Sequence, residues 1–223
     1  MKLRVIDLFA GPGGLGEGFS SYETVLGERP FRICLSVEKD VTAHRTIELR
    51  SFFRQFGTGS APEAYYQYLR REITREELFS RYRAEAEAAR QEAMHAELGV
   101  HDDRIDERIN AVLGTHRDDP WVLIGGPPCQ AYSTVGRSRM RGADPKAFEA
   151  DKRHHLYKEY LRILAQFGPA VFVMENVAGL LSAKVNGHST LDLILKDLRR
   201  PVRQSTIDCR AGGCWLRRMA ESD

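Results

Sequence analysis

The sequence lacks several features that would assign a protein class at once. It has no run of about twenty apolar residues, so we expect no membrane-spanning helix. Its 33 lysines and arginines nearly balance 31 aspartates and glutamates, so any surface that binds a polyanion must be local. Of the four cysteines, Cys209 and Cys214 have no second Cys or His pair to complete a zinc site. We therefore predict a cytoplasmic globular protein without a metal centre.

What the sequence does contain is an alternation of apolar strands and helical stretches. Strands are predicted at 3–10, 31–40 and 120–126, and in the run AVFVMEN that ends at residue 176. Strands that are apolar throughout and alternate with helices indicate a parallel sheet covered on both faces. The predicted fold class is therefore α/β, with a doubly wound, mostly parallel sheet.

The middle and the end of the sequence depart from this alternation. Residues 45–118 are rich in Arg, Glu, Ala and Tyr, with opposite charges three to four residues apart, which predicts an inserted, charged helical region. Acids and bases are interspersed there, so a solvated face is favoured over a nucleic-acid-binding stripe. Residues 1–200 are predicted to form the catalytic domain. Residues 201–223 are predicted to form an irregular tail without a convincing strand.

A glycine-rich turn follows the first predicted strand. Gly11, Gly13 and Gly16 fit the pattern G-x-G-x-x-G, in which glycines let a nucleotide approach the amino end of a helix. Glu38 closes the second strand, where an acid can accept hydrogen bonds from both ribose hydroxyls. NAD and a methionine-bearing nucleoside both satisfy this pattern, and a plain turn with a surface acid is the alternative.

A cysteine follows the strand at 120–126, in the run Gly-Gly-Pro-Pro-Cys129-Gln130. The carboxyl edge of a parallel sheet is where such sheets perform chemistry, and two prolines hold the thiol in one direction. A free thiol needs help to become a nucleophile, which Arg137, Arg139 or a proton acceptor on the substrate can give. A buried structural cysteine is the alternative, and the flanking residues disfavour it.

The last predicted strand ends in Glu175-Asn176-Val177. A glutamate that enters an apolar environment has a raised pKa and can donate a proton. A strand-terminal acid that caps the following helix is an equally good interpretation of this residue alone.

Taken together, these stretches resemble the cytosine-5 DNA methyltransferase family. DLFAGPGGLGEGF is similar to its cofactor loop, GGPPCQAYS to its nucleophile motif, the run 151–156 to its D-x-R-x-x-L motif, and MENV to its Glu-Asn-Val motif, all in family order. The resemblance covers most of residues 1–200. It implies a Rossmann-like fold and S-adenosylmethionine as the cofactor.

The resemblance also implies roles for individual residues. Cys129 would add to carbon 6 of cytosine, and Glu175 would bond to ring N3 and the exocyclic amine. Asn176 would brace the nucleophile turn, and Pro128 would shape the pocket. Because a stacked base is out of reach, double-stranded DNA would bind with the target cytosine flipped out. The implied cofactor contacts are Asp7, Phe9, Gly11, Gly13, Gly14 and Glu38, and the implied DNA contacts are Gln130, Ser133, Arg137, Arg139 and Arg141.

The sequence departs from the family pattern in two places. An acid after the third strand usually holds the adenine amine, and Asp102, Asp103 and Asp118 are candidates without a clean match. After residue 200, neither the expected R-x-R hairpin nor a target-recognition domain is readable. The sequence therefore predicts the catalytic N-terminal part of such an enzyme, as a truncated fragment or as half of a split enzyme whose second chain carries the recognition domain.

Other functions remain open at this point. A tRNA cytosine-5 methyltransferase shares the same motifs, and a degenerate partner would bind cofactor or DNA without performing chemistry. A nicotinamide-dependent dehydrogenase explains the glycines and Glu38 but not the Pro-Pro-Cys-Gln and Glu-Asn-Val pair. Within the leading hypothesis, protection of host DNA in a restriction-modification system is the expected role.

Overall fold

The computed structural model describes residues 2–57, 59–115, 119–127, 156–182, 184–185 and 188–199. Five strands form one sheet: β1 (Leu3–Leu8), β2 (Phe31–Glu38), β3 (Ala93–His95), β4 (Trp121–Gly125) and β5 (Val171–Met174). Their order across the sheet is β3-β2-β1-β4-β5, and β2 pairs in parallel with both β1 and β3. The predicted α/β class with a mostly parallel, Rossmann-like sheet is confirmed. The chain divides after Ile124 into two compact units.

Helices fill the first unit between its strands. In chain order they are α1 (Gly14–Ser21), α2 (Val41–Arg54), α3 (Glu63–Leu69), α4 (Arg75–Arg81), α5 (Arg83–Glu92) and α6 (Asp102–Leu113). Local signals set where they begin. The Asp40 carboxylate accepts a hydrogen bond from the Ala43 amide at 2.8 Å and starts α2, and a capping box between Thr74 and Glu77 starts α4.

The core of the first unit lies between the sheet and α1. Val5, Ile33, Val122 and Ile124 form a buried cluster, against which α1 packs its partly buried apolar side chains. Each fully buried side chain of this size contributes about 1.5–3 kcal/mol relative to exposure. This packing fixes the end of β1, and with it the turn that leads into α1.

The helical region between β2 and β3 has a hydrophobic cluster of its own. Phe52 of α2 lies at its centre, fully buried and stacked on Phe79 of α4 with 4.9 Å between ring centroids. Ala64, Leu78, Ala86 and Ala89 complete the buried part, and tyrosines of α3 and the tyrosine between α4 and α5 pack around it. The helices α3, α4 and α5 therefore share a core with α2, whose residues from 45 onward fall within the predicted insertion at 45–118.

One element contradicts the helical pattern of this region. The helical periodicity continues through His95, but α5 ends at Glu92 and Ala93–His95 form strand β3. These three residues pair with Ser36–Glu38, the carboxyl half of β2. The sheet edge offers backbone partners that a longer α5 would leave unpaired, so tertiary pairing overrides the local preference.

The second unit contains α7 (Leu156–Phe167), strand β5, a 3₁₀ helix (Ala178–Ser182), a small antiparallel pair of β6 (Lys184–Val185) with β7 (His188–Ser189), and α8 (Thr190–Leu198). Tyr160 of α7 is buried and donates a hydrogen bond to the Val173 carbonyl at 3.0 Å, which ties α7 to β5. Among the described helices, none is long and apolar enough to cross a bilayer.

Candidate active site

The turn after β1 has an unusual backbone. Phe9, Gly11 and Gly13 have φ angles of 55°, 56° and 84°, in the left-handed region that glycine tolerates and phenylalanine rarely adopts. The Gly13 amide donates to the Ala10 carbonyl at 2.9 Å and closes the turn. Gly13 is also the N-cap of α1, and no side chain caps the first amides of this helix. Such an end accommodates a nucleoside or an anion.

The glycines of this turn serve different purposes. A Cβ atom added at Gly11 or Gly14 would meet no atom within 4 Å, so both residues border open space. A Cβ at Gly16 would lie 3.1 Å from Asp7 Oδ2, so Gly16 is required by internal packing. The open side at Gly11 and Gly14 fits a ligand that lies against the backbone, as expected for a nucleoside cofactor.

Glu38 is tied to this turn. Its Oε2 atom accepts a hydrogen bond from the Gly11 amide at 2.8 Å, and its Oε1 atom accepts one from the Asp40 amide at 2.7 Å. The carboxylate therefore links the glycine turn to the start of α2. Each oxygen keeps acceptor capacity for a hydroxyl group, so this position suits a ribose.

Asp7 lies beneath the turn as a buried carboxylate. It is 1 % exposed, and neither of its oxygens has a hydrogen bond of normal geometry among the described residues. Burial raises the pKa of Asp7 from 3.8 to about 7, and the Gly16 amide and the Arg54 guanidinium offset this only in part. The Asp7 side chain is thus enclosed beneath the turn, and its expected contact with the cofactor stays a prediction.

In the second unit, the turn after β4 is bonded to the end of β5. The Glu175 amide donates to the Gly125 carbonyl at 2.9 Å, and the Asn176 Nδ2 atom donates to the Pro127 carbonyl at 3.3 Å. A Cβ atom at Gly126 would lie 2.9 Å from Glu175 Oε2, so the absence of a side chain at Gly126 leaves room for that carboxylate. Two motifs far apart in sequence therefore meet here.

The Glu175 side chain is exposed, so the expected apolar enclosure is not found among the described residues. Asn176 is partly buried, and its Oδ1 atom accepts a hydrogen bond from the Val177 amide at 2.9 Å. The remaining expected site residues lie outside the described residues: Pro128, Cys129, Gln130, Ser133, Arg137, Arg139 and Arg141.

Comparison with known proteins decides the family. Residues 92–200 match the model of the C-5 cytosine-specific DNA methylases. The chain belongs to this family. The matched region contains both the Pro-Pro-Cys-Gln and the Glu-Asn-Val runs, and the glycine turn with Glu38 precedes it.

Relatives of this chain include bacterial and archaeal enzymes. A type II methyltransferase of Bacillus paralicheniformis is 37% identical over 196 residues, covering 81% of this chain and 42% of the relative. A type II methyltransferase of Haemophilus parahaemolyticus is 31% identical over 182 residues, covering 82% and 34%. A DNA (cytosine-5-)-methyltransferase of Aeropyrum pernix is 43% identical over 82 residues, covering 37% and 16%. The chain thus spans less than half the length of these relatives.

The sequence pattern did not single out Glu97, which lies two residues after the end of β3. The amide of the neighbouring Ala96 donates a hydrogen bond to the Glu38 carbonyl at 3.1 Å. The Oε1 atom of Glu97 lies 3.1 Å from Lys39 Nζ. Three other acids were candidates for binding the adenine amine of the cofactor. Asp102 accepts a hydrogen bond from the Gly99 amide and so caps a turn. Asp103 is exposed in α6, and Asp118 lies outside the described residues. Recognising β3 within the helical pattern would have made Glu97 a further candidate for this position.

Proposed function

We propose that the chain carries the methyl-transfer centre of a DNA cytosine-5 methyltransferase, with Cys129 as the nucleophile. The observation that supports this most directly is the pair of hydrogen bonds from Glu175 and Asn176 to the turn Gly125–Pro127. In the proposed reaction the cysteine of the first motif attacks the cytosine ring, and the glutamate of the second motif forms hydrogen bonds to the same ring. The two motifs must therefore be held against each other to act on one base.

The proposed chemistry is covalent catalysis. The Cys129 thiolate forms a bond to carbon 6 of cytosine, and the electron pair of the 5,6 double bond makes carbon 5 nucleophilic. Glu175 bonds to ring N3 and the exocyclic amine and stabilises the charge that develops there. S-adenosylmethionine, when bound, supplies an electrophilic methyl group. Carbon 5 would take that group as the sulfur–methyl bond breaks and S-adenosylhomocysteine leaves. Carbon 5 would then lose its proton as the bond to Cys129 breaks, which restores the free thiol.

The cofactor would lie against the glycine turn. Gly11 and Gly14 border open space, and Glu38 ends β2 with acceptor capacity for the ribose hydroxyls. We assign the adenine amine to Glu97, because it follows the strand next to Glu38 and is an acid where the family uses one. Phe9 and Gly13 complete the turn, and Asp7 supports it from beneath.

The proposed substrate is double-stranded DNA with a flipped cytosine. Arg137, Arg139 and Arg141 would contact phosphates, and Gln130 and Ser133 the surroundings of the base. The Bacillus and Haemophilus relatives are type II methyltransferases, so we propose protection of host DNA as the role. We propose that this chain performs the covalent step without a second chain.

The test is covalent trapping on a mixed-sequence duplex that contains 5-fluorocytosine, with S-adenosylmethionine present. Fluorine cannot leave carbon 5 as a cation, so the adduct persists and migrates as a denaturation-resistant complex. We expect this complex with the unaltered chain and with Cys34→Ser, a matched change at a cysteine of β2. Cys129→Ser should give none, because serine is a far weaker nucleophile.

Two results would count against the proposal. If Cys129→Ser formed the complex, Cys129 would not be the nucleophile. If the unaltered chain formed no complex, this chain would not perform the covalent step. If the chain formed the complex with RNA of the same sequence but not with DNA, the substrate would be RNA, and a tRNA methyltransferase would be the better assignment.

A second prediction separates positioning from folding. Gly126→Ala should reduce the rate of adduct formation about tenfold or more, because the new methyl group displaces the Glu175 carboxylate. The displaced group is the end of a flexible side chain, so the free energy of unfolding should change by less than about 1 kcal/mol. Gly18→Ala, where the added Cβ meets open space, is the matched control. Equal trapping rates for the two variants would contradict the expected role of Glu175.

A further inference from the structure

The first unit contains a cleft that the proposed active site does not use. It has a volume of about 770 Å³ and lies beside the amino half of β2. β3 pairs only with Ser36–Glu38, so residues Phe31–Cys34 form one wall, and α1, α2, α5 and α6 supply the others. Sites for small molecules commonly enclose about 300–1,000 Å³, so the cleft has the size of a ligand site.

The described wall of the cleft is strongly basic. Its two acids, Glu17 and Glu92, both pair with Arg54, so their charge is already engaged. The wall also carries six cations, Lys2, Arg4, Arg29, Arg32, Arg54 and Arg108, of which Arg29 pairs with Glu23 at 2.7 Å and Arg4 lies 3.9 Å from Asp119. The chain as a whole has a net charge of only +2, so this concentration is a local feature.

Two of these cations are neighbours in the sheet. Arg4 of β1 and Arg32 of β2 are partners in the strand register, which places like charges side by side at a cost in stability. Arg4 donates to the Leu113 carbonyl at 2.8 Å, whereas Arg32 is exposed toward solvent. Arg108 donates to the Gln91 carbonyl and retains further N–H donors. A bound anion would relieve the repulsion and use these donors.

Aromatic rings stand beside the cations. Phe31, Phe53 and Phe56 line the cleft, and Phe53 is 38% exposed. Ring faces bind planar bases, and guanidinium groups bind phosphate in charge-assisted pairs. We propose that this cleft binds a phosphorylated small molecule of nucleotide size, with phosphates on Arg32 and Arg108 and the base against the phenylalanines.

This site is separate from the proposed cofactor site. None of the described residues of the glycine turn, nor Glu38, lines the cleft. The proposal therefore does not depend on methyl transfer, and its test can be read without any enzymatic activity.

The test is calorimetric titration of the folded chain with ATP and, separately, with inorganic tripolyphosphate, which has no base to occupy an adenine pocket. Arg32→Gln combined with Arg108→Gln should weaken both affinities about tenfold or more, since each charge-assisted contact is worth about that factor. Arg45→Gln combined with Arg83→Gln removes the same charge from exposed helix positions outside the cleft, and should leave both affinities unchanged. Circular dichroism establishes that all three proteins are folded.

ATP should bind more tightly than tripolyphosphate if the phenylalanines hold the base, and both affinities should fall as salt rises. Absence of saturable binding, or equal weakening by the two double variants, would overturn the proposal. Binding of ATP that Glu38→Gln abolishes and the cleft variant leaves intact would also overturn it, because the nucleotide would then occupy the cofactor site.

Discussion

Replacing Arg54 with methionine should lower the free energy of unfolding by about 3–5 kcal/mol near neutral pH. Arg54 of α2 pairs with Glu17 of α1 and Glu92 of α5, and its side chain is largely buried. Burial raises the pKa of Glu92, and the Arg54 guanidinium is the main group that opposes this shift. Without Arg54, two carboxylates remain in a poorly solvated site with no cation between them.

Urea unfolding measures this loss of stability. Arg70 is a suitable control, because it forms the same kind of ion-pair arrangement at the surface. Arg70 also pairs with two glutamates, Glu63 at 2.5 Å and Glu72 at 2.6 Å, but all three side chains are about half exposed or more. Arg70→Met should therefore change stability little, because water screens exposed pairs. The defect of Arg54→Met should shrink at lower pH, because burial raises the pKa of Glu92 and a protonated Glu92 needs no cation. Equal losses for the two variants would show that burial does not govern the interaction.

The free energy of unfolding of Asp7→Asn, relative to that of the unaltered chain, should increase as pH rises. The carboxyl group titrates at about 7 in the folded state and at 3.8 ordinarily. Between these values the unfolded chain has released the proton that the folded chain still holds, so stability falls as pH increases. The full loss above pH 7 is about 4 kcal/mol, and asparagine has no proton to release.

The measurement is the difference in unfolding free energy between variant and unaltered chain at two pH values. This difference should grow in favour of Asp7→Asn by about 2–3 kcal/mol from pH 5 to pH 8. Any constant cost of placing an amide in the site cancels in the comparison. A difference that stays the same at both pH values, or that shrinks toward pH 8, would mean that Asp7 is ionised in the folded chain at neutral pH.

Much of the sheet could be predicted from sequence, because β1, β2, β4 and β5 are apolar runs with turn residues at their ends. β3 could not, since its three residues continue the pattern of the amphipathic helix before them. What makes Ala93–His95 a strand is the unpaired carboxyl half of β2, which lies more than fifty residues away in sequence. Local propensity does not contain information of that kind.

The same limit applies to the site. The sequence identified Glu38 and the glycines, because their spacing follows from a strand, a turn and a helix. It did not predict that both Glu38 oxygens bind backbone amides, or that Asp7 is enclosed, since both depend on the path of the turn. Glu97 was missed for the reason that β3 was missed. The placement of Asn176 against Pro127 was expected only through the family resemblance, and its catalytic importance stays a prediction.

The shared cluster around Phe52 has a consequence for protein engineering. A helical insertion between two strands invites removal, to yield a minimal catalytic scaffold. Here the centre of the insertion's core is a side chain of α2, and α5 runs without a linker into β3. Deleting α3–α5 would therefore expose Phe52 to water and detach β3 from the chain segment that precedes it. These helices are a structural part of the first unit, so a shortened protein would need a redesigned α2 surface and a new connection to β3.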